Sequence, residues 1–110
     1  MATQKVTGSQ DPAETRSAEI KTTASDGWHA TVALSGEIDM AAASALRTEL
    51  DRHLDAGRCF IRIDAAGVTF LDSTALNALV TGVARCANAQ GALTLTNVPT
   101  RVRRIIESPA

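Results

Sequence analysis

Aromatic side chains are nearly missing from this chain of 110 residues, which has Trp28, Phe60 and Phe70 and no tyrosine. A core must therefore be built mainly from Leu, Ile, Val and Ala. Charge of one sign is missing too. Eleven basic and twelve acidic side chains leave a net charge of −1, which gives no bulk electrostatic case for nucleic acid or an anionic membrane. The local exception is Arg101, Arg103 and Arg104. No segment approaches the roughly 18 consecutive apolar residues of a membrane span, so no direct membrane insertion is expected. The first 16 residues lack the apolar stretch of a secretory signal. There is no CxxC pair. Cys59 and Cys86 stand far apart, and His29 and His53 create no metal-ligand spacing with them, so no metal is expected. Two free, mostly buried thiols in a cytoplasmic protein fit that usage.

Catalytic signatures are absent as well. The chain has no P-loop, GxGxxG, HExxH or GxSxG. A serine nucleophile needs a base and an oxyanion site, and neither histidine has an obvious route to Ser73. Asp39 and Asp72 could be imagined as paired carboxylates, but helix capping and surface roles suit them better. The reading is a non-enzymatic protein without a cofactor.

What is present fits one soluble domain, with 45% hydrophobic and 21% charged residues. Residues 1–16 are polar and aperiodic and are expected to be a disordered tail, leaving 17–110 as the domain. Alternation over 17–24 and 28–35, with Ser25-Asp26-Gly27 between, predicts a hairpin. Gly36 to Asp39 reads as a loop ending in a cap. Ala43, Leu46, Leu50 and Leu54 then form one apolar helical stripe that Gly57 closes. Arg47, Glu49, Asp51, Arg52 and Asp55 read as its solvated faces.

Cys59 to Asp64 reads as a strand covered on both faces or nearly so. A second helix from Ser73 turns Leu76, Leu79, Val80, Val83, Ala84 and Ala87 inward, with Gly91 as its terminator. A short strand over 92–97 precedes a final helix that Pro99 opens, with Val102, Ile105 and Ile106 inward. The order predicts an α/β domain. Its mixed four-stranded sheet carries two main helices on one face, followed by a short C-terminal helix. No surplus apolar stripe remains on this assignment, so a monomer is expected.

The chain is organised around Val68 to Leu79, VTFLDSTALNAL. Asp72 caps a helix whose first turn presents Ser73 and Thr74. Capping alone would explain this pattern. However, GEIDM at 36–40 and GVTFLDSTAL at 67–76 together resemble the two signature segments of the STAS domain of bacterial anti-sigma factor antagonists. The likeness covers about residues 18–106, with Ala75 where many members have Gly.

The resemblance implies the same architecture and a phosphorylation switch at the first hydroxyl after the Asp, here Ser73, with Thr74 as the competing acceptor. It implies a partner-binding surface at Glu37, Asp39, Asp72, Ser73, Thr74 and Ala75. The partner would be an anti-sigma factor with serine kinase activity, sequestered by the unphosphorylated form so that a sigma factor is freed. ATP would be bound by that kinase. The alternative implied by the same resemblance is an accessory subunit of a lipid-exporting ABC transport system, docking without phosphorylation.

Overall fold

The first turn closes around one carboxylate. Asp26 Oδ1 accepts from the backbone N–H groups of Trp28 (2.8 Å) and His29 (2.7 Å). Those bonds, Trp28's first, hold the Asp26 carboxyl below its usual range. The turn joins β2 (Ala18–Ser25) to β3 (His29–Ile38) as the antiparallel hairpin that the alternation predicts. The computed structural model describes residues 3–6 and 18–107. After the hairpin come α1 (Met40–Asp55), β4 (Phe60–Leu71), α2 (Ser73–Asn88), β5 (Ala92–Thr96) and α3 (Thr100–Glu107).

β3 pairs with β4 and β4 with β5, both in parallel, so α1 and α2 are crossover helices. Both crossovers step the same way across the sheet, and right-handed connections then put both helices on one face. The mixed sheet β2 to β5 with its two main helices is the expected α/β architecture. One strand was not expected. β1 (Thr3–Val6) pairs antiparallel with β2, making the sheet five-stranded. The edge of β2 offers unpaired N–H and C=O groups, which an extended segment can take up whatever its composition. Residues 1, 2 and 7–16 of the expected tail lie outside the described residues.

The helix-covered face holds Ile20, Val32, Leu34, Ile61 and Ile63, each at most 2% exposed. Burial of such side chains contributes about 1.5–3 kcal/mol apiece. The opposite face is open, with Phe60 and Arg62 exposed, which corrects the expectation that this strand is covered on both sides. The loop expected at Gly36 to Asp39 is also shorter, since β3 continues to Ile38. Gly36, at φ +84, sits at an irregularity in the β3–β4 register and keeps the strand going.

α2 packs by a different face from the one its larger residues suggest. Ala75, Ala78, Leu79, Gly82 and Cys86 are buried, while Val80 and Val83 are 60% and 46% exposed. Small residues win because they let the helix sit close to the core. A Cβ on Gly82 would lie 3.0 Å from Leu50 Cδ1 and from Leu93 Cδ1. An apolar stripe is therefore left over, and the premise for expecting a monomer is not met. The helix ends differently as well. Gln90 takes the left-handed conformation (φ +67), while Gly91 permits a close backbone approach, because a Cβ there would lie 2.0 Å from the Cys59 carbonyl oxygen. Cys59 and Cys86 are both buried and free.

α1 also departs from its expected pattern. Glu49, 1% exposed, faces inward rather than to solvent, beside His53 at 0%. Arg58 Nε donates to His53 Nδ1 (2.9 Å), so that nitrogen is the acceptor. His53 Nε2 therefore carries the proton and faces Thr22 Oγ1 at 2.8 Å. The Thr22 hydroxyl donates in turn to Glu49, whose carboxylate Arg52 also grips at 2.7 and 3.2 Å. Among the described residues each buried side-chain polar atom thus has a partner, and the chain of bonds ties α1 to β2.

Burial, then the Arg52 charge, lowers the pKa of His53 below its ordinary 6.5. Burial alone would raise Glu49, but the hydrogen bonds from Arg52 and Thr22 outweigh it and the net shift is downward from 4.5. In both cases the unfolded chain takes up the proton first. The contribution of His53 is therefore present above pH 6.5 and lost as pH falls toward its folded value, and that of Glu49 is lost below 4.5.

Urea unfolding between pH 7 and pH 5 should show stability falling by up to about 1.4 kcal/mol per pH unit, with a flatter slope in His53→Gln. An equal slope in that variant would remove His53 as the cause. Gly91→Ala should cost about 2 kcal/mol or more at pH 7, because the obstacle is backbone that must shift. A loss under about 0.5 kcal/mol would show that the turn yields freely.

Candidate partner-docking site

β3 and β4 stay paired to their C-terminal ends, with Glu37 opposite Phe70 and Ile38 opposite Leu71. The pairing closes with Asp72 N–H donating to the Ile38 carbonyl at 3.2 Å. Asp39 and Asp72 follow directly, so two helices begin side by side at one edge of the sheet. Both aspartates are caps of the same kind. Asp39 Oδ1 accepts from Ala42 N–H (3.0 Å) and Asp72 Oδ1 from Ala75 N–H (2.9 Å), each in extended backbone. The capping expected from sequence is what these carboxylates do, which leaves them unsuited to acid–base chemistry as a pair.

The register brings all six sequence-predicted positions together. Glu37 is half-buried on β3 beside Phe70, and Asp39 is exposed at the head of α1. Across from them, Ser73 is exposed as the first residue of α2, Thr74 is half-buried, and Ala75 is fully buried. Ser73 makes no side-chain hydrogen bond among the described residues. Its hydroxyl is the more exposed of the pair. Ala75, at 0% exposure, packs into the core and lets α2 approach; it does not line the surface.

Several residues of this edge escaped the sequence reading. Met40, at 68% exposure, opens α1, and Phe70, at 45%, is the penultimate residue of β4 on the open face. Along α2, Ser73 heads a row that continues through Leu76, Val80, Val83 and Ala87. The spacing is three, four, three, four, the seam by which one helix receives another. Leu76 is half-buried and the next three are exposed. The seven-residue spacing was legible in the sequence, but which apolar face turned inward was not. The acidic groups of the edge and this apolar seam meet at Ser73. Among the described residues there is no cluster of His, Cys, Asp and Glu able to hold a metal ion.

Comparison with known proteins agrees with this architecture. The family model described as Mlab, STAS domain, matches residues 22–108. No curated protein sequence matches the chain. Among solved structures, an anti-sigma factor antagonist from Mycobacterium paratuberculosis is similar at 27% identity and a TM-score of 0.63, over 74% of this chain and 68% of that one. The anti-sigma factor antagonist SpoIIAA in its unphosphorylated form superposes with a TM-score of 0.70 at 16% identity, over 80% and 77% of the two chains. The Bacillus cell fate determinant SpoIIAA in its phosphorylated form does so with a TM-score of 0.66 at 14% identity, over 80% of each. Those last two likenesses establish a shared fold. With the family model covering residues 22–108 and the sheet, crossovers and paired helix caps in place, this chain belongs to the STAS domain family.

Proposed function

We propose that this protein is an anti-sigma factor antagonist whose binding is switched by phosphorylation of Ser73. The observation that carries the reading is the position of Ser73, which is exposed and unengaged at the head of α2, where the apolar seam and the acidic edge meet. Unmodified, that edge presents a small hydroxyl next to Leu76 and Val80, a surface a partner can cover without burying a new charge. Phosphorylation adds a charge of about −1.5 to −2 at that point. The free N–H groups of the α2 N-terminus accommodate the anion, so the fold is retained. A partner seated on the seam would have to desolvate the phosphate next to Asp72 and across from Asp39. A loss of roughly 3 kcal/mol weakens binding more than a hundredfold.

In this reading the partner is an anti-sigma factor with serine kinase activity. It binds the ATP, and its capture frees a sigma factor in the cytoplasm. This chain contributes the acceptor hydroxyl and the docking seam and performs no chemistry of its own. No helix among the described residues is long and apolar enough to cross a membrane. A second reading is favoured by the family model's own description, which names Mlab. Under it the chain is an accessory subunit of a membrane transport system, and the same seam docks on a partner ATPase without any modification.

Mass spectrometry of protein isolated from its native host separates the two. Phosphate localised to Ser73, absent from Ser73→Ala, with the phosphorylated form binding a co-purifying kinase at least a hundredfold more weakly, is the expected result. Unmodified Ser73 under all growth conditions, with a transporter ATPase co-purifying, would replace it with the second reading. Val80→Lys should leave stability within about 0.5 kcal/mol, since the side chain is solvent-facing, yet abolish partner binding. Unchanged affinity in that variant would show that the seam is not the docking surface.

A further inference from the structure

A chain with three aromatic side chains places none of them in its core. Phe70 sits at the Ser73 edge, but Trp28, 66% exposed, and Phe60, 39% exposed, lie at the opposite end of the sheet. β4 separates the two ends by roughly 35 Å at about 3.3 Å per residue. There the first residues of β3 and β4 pair, His29 opposite Phe60, and their rings lie 5.3 Å apart at a tilt of 33°. The next row on the same open face is Thr31, Arg62 and Thr94, in register across three strands. These two rows line a cavity of about 270 Å³.

The guanidinium in this cavity makes no ion pair among the described residues. Arg62 is exposed and has no carboxylate within ion-pair distance among the described residues. Asp26 and Asp64, the acidic groups flanking this region, keep their charge but direct their hydrogen bonds elsewhere. Asp26 accepts from Trp28 N–H and His29 N–H and lies 3.2 Å from His29 Nδ1. Asp64, one row beyond, accepts from Ala66 N–H (3.1 Å) and Asn97 Nδ2 (3.2 Å). An aromatic pair, a planar guanidinium and two flanking hydroxyls thus share one concave patch.

We propose that this open sheet face binds a small aromatic carboxylate. Its ring packs against Phe60 and His29, and its carboxylate meets the fork of Arg62 with support from the Thr31 and Thr94 hydroxyls. Each part of the ligand has a matching group. A planar, five-donor guanidinium suits a carboxylate in a two-bond arrangement, and an exposed ring pair suits a flat apolar body. The cavity lies just below the usual range of about 300–1,000 Å³ for small-molecule sites, which fits one or two fused rings. The site is independent of Ser73 and of the partner that docks there.

The test titrates the full chain with 2-naphthoate, 2-naphthamide and phenyl phosphate, followed by amide NMR shifts. Fluorescence of Trp28, the single tryptophan, serves as a second readout. The expected result is 2-naphthoate shifting His29, Thr31, Phe60, Arg62 and Thr94 with a Kd on the order of 1 mM or tighter. The neutral amide should bind at least tenfold more weakly, and both Arg62→Gln and Phe60→Leu should weaken 2-naphthoate by about tenfold. Because Arg62 and Phe60 are exposed, folding of the variants is checked by the unchanged remainder of the spectrum. Equal affinity for acid and amide, or no shifts up to several millimolar, would overturn the proposal. Tighter binding of phenyl phosphate at the same residues would overturn the carboxylate assignment.

Discussion

The parallel pairing of β3 with β4, carried through to the hydrogen bond from Asp72 N–H to the Ile38 carbonyl, is the constraint on which the rest of this molecule depends. It brings two segments more than thirty residues apart in sequence to the same height on the sheet. Each then turns into a helix through an aspartate cap, and the two helices leave the sheet side by side. Without that last stretch of register, Glu37 and Asp39 would have no fixed relation to Ser73. The edge owes its shape to backbone geometry, and its chemistry comes from what the helix starts expose.

A second constraint acts at the buried side of α2. Ala75, Ala78 and Gly82 leave so little bulk beneath the helix that Leu50 and Leu93 close against it. That close seating turns the bulkier Val80 and Val83 outward. The helix therefore presents apolar surface to solvent, and it does so in line with Ser73. Under the proposed switch, stability and recognition would draw on the two sides of one helix, and a charge at its first residue would alter docking while the fold persists.

The polar cluster of Thr22, Glu49, Arg52, His53 and Arg58 belongs to the scaffold. It joins α1 to the hairpin through charged groups that are fully partnered, in a core otherwise built from aliphatic side chains. Such a network is directional, and it favours one placement of α1 over others that would bury similar apolar area. Its members also bias the molecule toward neutral pH, because protonating His53 removes the acceptor that Arg58 uses.

Local patterns in the sequence determined most of the elements and both main-helix caps. The hairpin, both helices, the Asp39 and Asp72 N-caps and the STAS signature segments could all be read directly, because turn chemistry, capping and hydrophobic period act over a few residues. The long-range outcomes could not. Glu49 looks like a solvated helix position until Thr22 arrives from elsewhere in the chain. Leu76, Val80 and Val83 form as good an apolar stripe as the face that is buried, and periodicity has no means to rank two such faces. Close packing does rank them, because only small side chains fit beneath α2. One-sided crossovers likewise left Phe60 and Arg62 on an open sheet face, and only the tertiary structure decides which side of a strand remains uncovered.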